Sequence, residues 1–152
     1  MKIDELYPVN SILLNFNSKN KLLALEALTK NFARIYYGVN EKELLQLLVQ
    51  REELGSTGID HGVAIPHANI NHIDKPKGLL AISRRGVDFN SIDGELTHFL
   101  ILIVYPQNFL GRQTQVLSKI ARLFREKALR ESILKAHSPE KVLEILKAKE
   151  AS

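Results

Sequence analysis

One segment of the sequence, from Arg51 to His67, concentrates the side chains that can do chemistry. Three glycines, a proline and two histidines fall within it, whereas its flanks have the patterns of ordinary helix and strand. A neutral imidazole is a competent nucleophile near pH 7, and a hydrogen bond at one ring nitrogen leaves the other nitrogen free to attack. The segment therefore predicts nucleophilic chemistry at His67.

Neighbouring residues are of the types that would aim this ring and hold an anion beside it. Pro66 fixes its own φ and pushes the residue before it towards an extended conformation, so the backbone entering His67 is stiff. Arg51 can hold phosphoryl oxygens through paired charge-assisted hydrogen bonds if the loop folds back onto its helix. Glycines let backbone N–H groups turn towards an anion, and those of this segment are Gly55, Gly58 and Gly62. Together these residues predict an aimed imidazole at an anion site.

The elements that precede this segment are predicted from an apolar run and a helical repeat. Residues 11–16 form a short apolar run closed by turn-prone residues, which predicts a first strand. Ser18 is placed to cap a helix over residues 19–37, where apolar positions recur every three or four residues. The chain is thus expected to pass from strand to helix before the segment begins.

A second helix should bring Arg51 to the loop. Asn40 followed by Glu43 resembles a capping box, and a leucine repeat carries the helix to residues 51–53. Arg51 then lies on its last turn. Residues 55–71 show no sustained helical or strand period and are predicted as an ordered loop.

The remaining patterns complete an α/β domain. Residues 79–84 and 98–105 read as strands, and the second is almost wholly apolar, as expected of a central strand covered on both faces. Pro106 ends that strand, and an apolar stripe over residues 116–124 predicts a helix beyond it. Ser138-Pro139 is the start signal of a last helix. The predicted fold is a single α/β layered domain with a mixed β-sheet flanked by helices.

The central segment also resembles a known signature. The run Arg51-Glu52 … Gly55-Ser56-Thr57-Gly58-Ile59 … Gly62-Val63-Ala64-Ile65-Pro66-His67 is similar to the active site of enzyme IIA domains of the fructose, mannitol and nitrogen-regulatory class, in the bacterial phosphoenolpyruvate-dependent phosphotransferase system. Residues 117–123 resemble the family's helix after the last strand. The resemblance covers nearly the whole chain and implies one domain over residues 1–152, with its core at about 5–148 and the mannitol-type enzyme IIA fold.

The resemblance implies a phosphocarrier with a phosphohistidine intermediate. His67 would accept a phosphoryl group on Nε2, as tele-phosphohistidine, from the small carrier HPr or its nitrogen-system counterpart. Arg51 would stabilise the phosphoryl oxygens. The substrate pocket would be shaped by Ser56, Thr57, Gly58 and His61. A IIB domain or a regulatory protein would receive the phosphoryl group or its signal, and no cofactor is implied.

Gln113 marks a departure from the family pattern. The family often places a second histidine at the start of the helix after the last strand, and alignment on residues 121–123 puts Gln113 there. A glutamine can hydrogen-bond but cannot carry a proton or a charge. The onward step to a sugar transporter is therefore less supported than loading of His67. The alternative is a stand-alone nitrogen-regulatory protein that controls partners through its phosphorylation state, without sugar transport.

Composition excludes several other classes. The 152 residues hold no Cys, which removes disulfides and thiolate chemistry and favours the cytoplasm. No stretch approaches transmembrane length, so membrane insertion is not expected. The net charge is +4, and the excess of +5 over residues 112–152 is too dilute for a nucleic-acid binder using Lys119, Arg122 and Arg125. His61, His67 and His72 lack a carboxylate or Cys at a familiar metal-ligand spacing, so no metal site is predicted.

Overall fold

Helices and strands are interleaved along the chain in the computed structural model, which describes residues 1–109 and 111–152. Those residues form six α-helices, five β-strands and one 3₁₀ turn (Val9–Ser11). The helices are α1 (Ile3–Leu6), α2 (Lys21–Ile35), α3 (Glu41–Glu53), α4 (Gln113–Arg125), α5 (Lys127–Lys135) and α6 (Pro139–Ala151). The strands are β1 (Ile12–Leu13), β2 (Val63–Ala64), β3 (His67–Ile70), β4 (Lys77–Val87) and β5 (Thr97–Pro106).

The strands form one mixed sheet in the order β1-β4-β5-β2, with β3 pairing β5 beside β2. Strands β4 and β5 are antiparallel and supply most of the ladder, with Leu80 opposite Ile101. The strands β1, β2 and β3 each pair in parallel with one of these two. The mixed sheet predicted from the sequence is therefore confirmed.

Strand β5 is buried on both faces because its side chains alternate between two hydrophobic cores. Phe99, Ile101 and Ile103 point to a core shared with α1, α4, α5 and α6. Leu100 and Leu102 point to a second core shared with α2 and α3. Full burial of such a side chain stabilises the fold by about 1.5–3 kcal/mol. The sheet is thus the middle of three layers, as its apolar sequence predicts.

The prediction of a loop over residues 55–71 is wrong, because that segment contains β2 and β3. Val63 lies opposite Phe99 and His67 opposite Ile103, so both pairs share one register along β5. Pro66, which has no N–H to give to the ladder, separates the two pieces. Strands of two and four residues are too short to show a period of two in the sequence. His67 therefore begins a strand.

The N-terminal predictions need three corrections. The run 11–16 is a strand only at Ile12–Leu13, because Ser11 belongs to the 3₁₀ turn. Helix α2 is capped by Asn20, whose side chain accepts a hydrogen bond from the N–H of Leu23 at 3.0 Å, and not by Ser18. The short helix α1 was not predicted, since four residues carry too little of a helical repeat.

The other helix predictions are confirmed at their ends. Asn40 caps α3 by accepting from the N–H of Glu43 at 3.0 Å, and Arg51 lies on the last turn. Ser138 caps α6, with Pro139 at its first position. None of these helices, over the residues described, is long and apolar enough to cross a membrane.

Candidate functional site

The side chain of His67 faces the α4 layer of the fold. Along β2 and β3, Val63 and Ile65 belong to the core under α4, whereas Ala64 and Ala68 belong to the core under α2 and α3. Because side chains alternate along a strand, His67 shares the face of Val63 and Ile65. Its ring is half-buried. The strand thus presents a partly exposed imidazole to the helix that follows the sheet.

The His67 ring is oriented by its own backbone. Nδ1 lies 2.9 Å from the carbonyl oxygen of Ile65. A carbonyl can only accept, so Nδ1 carries the proton and the lone pair is on Nε2. This arrangement leaves Nε2 as the nucleophilic nitrogen.

A shallow cavity of about 280 Å³ surrounds the exposed side of the ring. Its walls come from the end of α3, the segment after it, the strand entry and one face of α4. The lining residues are Arg51, Ser56, Thr57, Ile59, Ile65, His67, Leu117, Ser118 and Ala121. Four residues singled out in the sequence, Arg51, Ser56, Thr57 and His67, are therefore brought together.

The segment between Ser56 and His67 is a β-hairpin that folds back towards α3. The N–H of Ile65 donates to the carbonyl of Thr57 at 3.1 Å, and the N–H of Ile59 donates to Val63 at 2.8 Å. His61 and Gly62 form the tip, both with positive φ, of 62° and 74°, which is the geometry of a type I′ turn. His61 lines a neighbouring cavity and not that of His67. Its side chain is 51% exposed and lies 3.6 Å from the carboxylate of Asp60.

A buried ion pair anchors this hairpin to two helices. The carboxylate of Glu52, 5% exposed, lies 2.9 Å from Nζ of Lys21 at the start of α2. The same carboxylate accepts from the N–H of Thr57 at 2.9 Å and from the Thr57 hydroxyl. Lys21 also donates to the hydroxyl of Ser56 at 3.2 Å. One carboxylate and one ammonium thereby fix both hydroxyl residues.

The hydrogen-bond donors of this loop are largely committed inside the chain. The Ser56 hydroxyl donates to the carbonyl of Phe89 and accepts from the N–H of Gly58. The N–H groups of Gly55 and Ile59 also have carbonyl partners. The sequence predicted that backbone N–H groups of this segment would face an anion. At these positions they instead donate to acceptors within the chain. Ser56, Thr57 and Gly58 shape the cavity wall.

The Arg51 guanidinium is the charged donor at the cavity. Nη1 donates to the carbonyl of Gly55 at 3.0 Å, so the loop does fold back onto the helix as the phosphate role requires. A guanidinium has five N–H donors. Over residues 1–109 and 111–152 the Arg51 side chain has no other hydrogen-bond partner, so its remaining donors can meet an anion at the cavity.

Gln113 is the first residue of α4, as the alignment predicted, and is held by β3. Its Oε1 accepts a hydrogen bond from Nδ2 of Asn69 at 2.9 Å. Nδ2 of Asn69 also donates to the carbonyl of Pro106 at 3.1 Å. Gln113 stands one helical turn before Leu117 and does not itself line the His67 cavity.

No role was predicted from the sequence for four residues of the site: Lys21, Glu52, Asn69 and Ser118. Glu52 did carry a signal, because it continues the buried stripe of Leu44 and Leu48 at a spacing of four, and a carboxylate in a core stripe is rarely unpaired. Asn69 is two residues beyond His67, and thus on the same face of the strand. The partnership of Lys21 with Glu52 spans 31 residues and has no local pattern.

Known proteins resemble this chain over most of its length. The family model described as "Phosphoenolpyruvate-dependent sugar phosphotransferase system, EIIA 2" matches residues 5–149. A nitrogen regulatory protein of Bradyrhizobium diazoefficiens is 31% identical over 146 residues, which cover 96% of this chain and 95% of that protein.

Solved structures share the fold. Nitrogen regulatory protein IIA-Ntr from Neisseria meningitidis has a TM-score of 0.87 and 32% identity, covering 95% of this chain and 98% of its own. Enzyme IIA for mannitol from Escherichia coli, in complex with phosphorylated enzyme IIB, has a TM-score of 0.74 and 20% identity, covering 91% and 95%. The mannitol-type enzyme IIA fold implied by the sequence is confirmed. With its family model matched from residue 5 to residue 149, the chain belongs to the EIIA 2 family of the phosphoenolpyruvate-dependent sugar phosphotransferase system.

Proposed function

We propose that this member of the phosphocarrier family accepts a phosphoryl group on Nε2 of His67. The observation that carries the proposal is the contact of Nδ1 with the carbonyl of Ile65 at 2.9 Å. That contact holds the ring in the tautomer whose lone pair is on Nε2, while Arg51 lines the same cavity. The nucleophile is thus prepared without a separate general base.

The step is a transfer between two imidazoles. Nε2 of His67 attacks phosphorus as the N–P bond of the donor phosphohistidine breaks, and the bonding pair returns to the donor ring. The proton on Nδ1 of His67 stays on the hydrogen bond to Ile65, which stabilises the charge left on the ring. Phosphoryl transfer depends chiefly on in-line positioning and on charge stabilisation at the phosphoryl oxygens. Arg51 stabilises the charge at the phosphoryl oxygens, and the strand that carries His67 supplies the in-line positioning.

Two residues of α4 offer further hydrogen-bond donors in this proposal, Ser118 at the cavity and Gln113 one helical turn before Leu117. Ser118 is exposed and lines the cavity together with Arg51. Gln113 offers a neutral amide because Asn69 takes its oxygen and leaves its NH₂ group for another acceptor. A neutral amide at this position supports loading while giving no proton to a leaving group. His61 is proposed only as a rim residue.

We infer that the donor is HPr or its nitrogen-system counterpart, and that the chain works in the cytoplasm with those carriers. For the next step two candidates stand. The complex of a IIA with a phosphorylated IIB supports relay to a IIB domain. The nitrogen regulatory relatives, which the chain matches nearly end to end, favour a regulatory protein that reads the state of His67.

The test is phosphorylation with phosphoenolpyruvate, enzyme I and each carrier, followed by intact mass measurement. We expect one added phosphoryl group that is lost in acid and absent from His67→Ala. His137→Ala is the matched control, because His137 is exposed outside the site. A His67→Ala protein that still gains the group would refute the proposal.

Relay and regulation are separated by adding a IIB domain to the loaded protein. Prompt discharge of His67 would support relay, whereas persistence of the phosphohistidine would support regulation. The loaded and unloaded proteins can then be compared as baits for candidate regulatory partners, with His67→Ala as the bait that cannot be loaded.

A further inference from the structure

We propose that Glu52 is a positioning residue for phosphoryl transfer, and that its buried carboxylate sets the orientation of the His67 ring through Thr57 and Ile65. The inference rests on the proposed function of His67 and goes beyond it, because it names the group that keeps the nucleophilic nitrogen aimed. Glu52 is not among the residues that line the His67 cavity, so it is not placed to touch a phosphoryl group there. Its effect on transfer must therefore pass through other residues.

The first contact in this series is at the ring itself. Nδ1 of His67 lies 2.9 Å from the carbonyl oxygen of Ile65, and this contact decides which ring nitrogen keeps its lone pair. Over residues 1–109 and 111–152, the ring has no other hydrogen-bond partner. The direction of Nε2 is therefore only as well defined as the position of the Ile65 carbonyl.

The backbone of Ile65 is fixed from two sides. On one side Pro66 restricts Ile65 to extended conformations, and the carbonyl of Pro66 accepts from the N–H of Ile103 in β5 at 3.0 Å. On the other side the N–H of Ile65 donates to the carbonyl of Thr57 at 3.1 Å. Ile65 lies between β2 and β3, and its N–H is given to Thr57 and not to β5. Thr57 is thus the second support of the residue that holds the ring.

Thr57 is held in turn by Glu52. The Glu52 carboxylate accepts from the backbone N–H of Thr57 at 2.9 Å and also from its hydroxyl. Both residues are buried, at 8% and 6% exposure, so little water can replace these contacts. Lys21 lies 2.9 Å from the same carboxylate and ties it to α2. An unbroken series of contacts thus joins Lys21, Glu52, Thr57, Ile65 and His67 in that order.

Position 52 requires a carboxylate because several donors converge on it. Oε1 accepts from Nζ of Lys21 and from the N–H of Thr57, and Oε2 accepts from the Thr57 hydroxyl. A glutamine has nearly the same shape but only one oxygen and no charge, so it would weaken both the contact with Lys21 and the hold on Thr57. Thr57 could then move away from Ile65, and the ring of His67 would lose its fixed acceptor.

The first measurement is the tautomer of His67 in the unloaded protein, obtained from the nitrogen NMR shifts of its ring and assigned by comparison with His67→Ala. At about pH 8.5, above the ordinary pKa of a histidine imidazole, we expect the ring proton of the unmodified protein on Nδ1 only. In Glu52→Gln we expect both tautomers. Glu53→Gln is the matched control, because Glu53 is the exposed neighbour at the end of α3, and it should keep the proton on Nδ1.

The second measurement is the initial rate of loading against the concentration of phosphorylated HPr and of its nitrogen-type counterpart. For Glu52→Gln we expect kcat to fall about tenfold with KM within about twofold, because a misdirected ring slows the transfer step and leaves donor binding intact. Glu53→Gln should leave kcat unchanged. Urea denaturation establishes that each variant is folded under the assay conditions.

Thr57→Val is the second variant, and it replaces Glu52→Gln if that protein does not fold. It removes the hydroxyl that donates to Glu52 and keeps the backbone contact and the shape of the side chain. We expect the same two changes, in tautomer and in kcat, to a smaller degree.

The outcomes separate the inference from the proposed function. If a folded Glu52→Gln protein keeps the proton on Nδ1 only, Glu52 does not position the ring and the inference is refuted, while loading of His67 stands. If both tautomers appear and kcat is unchanged, the positioning has no effect on transfer and the inference is equally refuted. If neither carrier loads the unmodified protein, the proposed function fails and the inference falls with it. Both tautomers together with the fall in kcat would establish the role of Glu52.

Discussion

The side-chain amide of Asn69 donates a hydrogen bond to the side-chain oxygen of Gln113. Nδ2 of Asn69 lies 2.9 Å from Oε1 of Gln113 and 3.1 Å from the carbonyl of Pro106. Because the Pro106 carbonyl can only accept, the NH₂ group of Asn69 must point there, and Gln113 must turn its oxygen towards Asn69. The NH₂ group of Gln113 is consequently directed away from β3. The first residue of α4 is thereby fixed in orientation by the strand that carries His67.

Removing this clamp should slow loading without unfolding the protein. Asn69→Ala frees the Gln113 amide to rotate, and we expect the rate of His67 loading to fall several-fold. Gln113→Ala should cause a similar loss, and the double variant should lose no more than either single variant, since the two residues act as one unit. The prediction is checked by the initial loading rates of the unmodified protein, the two single variants and the double variant. Additive losses would show that Asn69 does not act through Gln113.

Gln113→His tests the meaning of the neutral amide. The imidazole side chain of histidine has an ordinary pKa of about 6.5. Below that pH the introduced imidazole would be charged and would stabilise the phosphoryl group, so the loading rate of Gln113→His relative to that of the unmodified protein should rise as the pH falls through this range. The unmodified protein lacks that group and should differ from the variant in its pH profile between about 5.5 and 8. Superimposable profiles would place position 113 outside the reach of the phosphoryl group.

Arg51→Ala should lower the loading rate by about 10²–10³-fold, the usual effect of removing one donor from a developing charge. Arg51→Lys should recover part of the rate, because a lysine supplies charge but not the planar pair of donors. Arg34→Ala, at an exposed arginine of α2, is the matched control. If Arg51→Ala is loaded at an unchanged rate, the only role left for Arg51 is its hydrogen bond to the carbonyl of Gly55.

The Lys21–Glu52 pair should matter more for stability than any exposed ion pair. Lys21→Met leaves the Glu52 carboxylate buried without its cation, and we expect a loss of about 3 kcal/mol in the free energy of unfolding. Lys141→Met removes an exposed pair with Glu144 and should cost less than about 1 kcal/mol. Urea denaturation of both variants measures the difference. Equal losses would mean that water screens the Glu52 carboxylate as it does Glu144.

Position 78 has no room for a side chain, because the ring of Tyr7 lies against it. A Cβ at this position would lie 2.3 Å from Cε1 of Tyr7, so Gly78→Ala should destabilise the protein by about 1–3 kcal/mol. In a Tyr7→Ala background the same substitution should cost much less, because the ring is gone. Thermal or urea unfolding of the four proteins tests this. A Gly78→Ala cost that persists in that background would point to the backbone of β4 and not to the ring.

The sequence predicts the layers of this fold better than the wall of its site. The almost wholly apolar β5, the Ser138-Pro139 start signal and the position of Arg51 were local patterns, and each is confirmed. The strand that begins at His67 was missed, because its pairing with β5 lies 36 residues away in the chain. The Lys21–Glu52 pair was missed for the same reason. Such contacts are set by tertiary packing, which leaves no periodic trace in a short segment.

The unbroken register that carries β2 through Pro66 into β3 limits how a partner can sense the phosphoryl group. His67 begins a strand that pairs with β5, so we expect the proposed loading to add a charge of about −2 without moving the backbone. If the two chemical states share one backbone, a partner that senses them would discriminate by electrostatic potential. Such discrimination is tunable by ionic strength, in contrast to a switch that works by rearrangement.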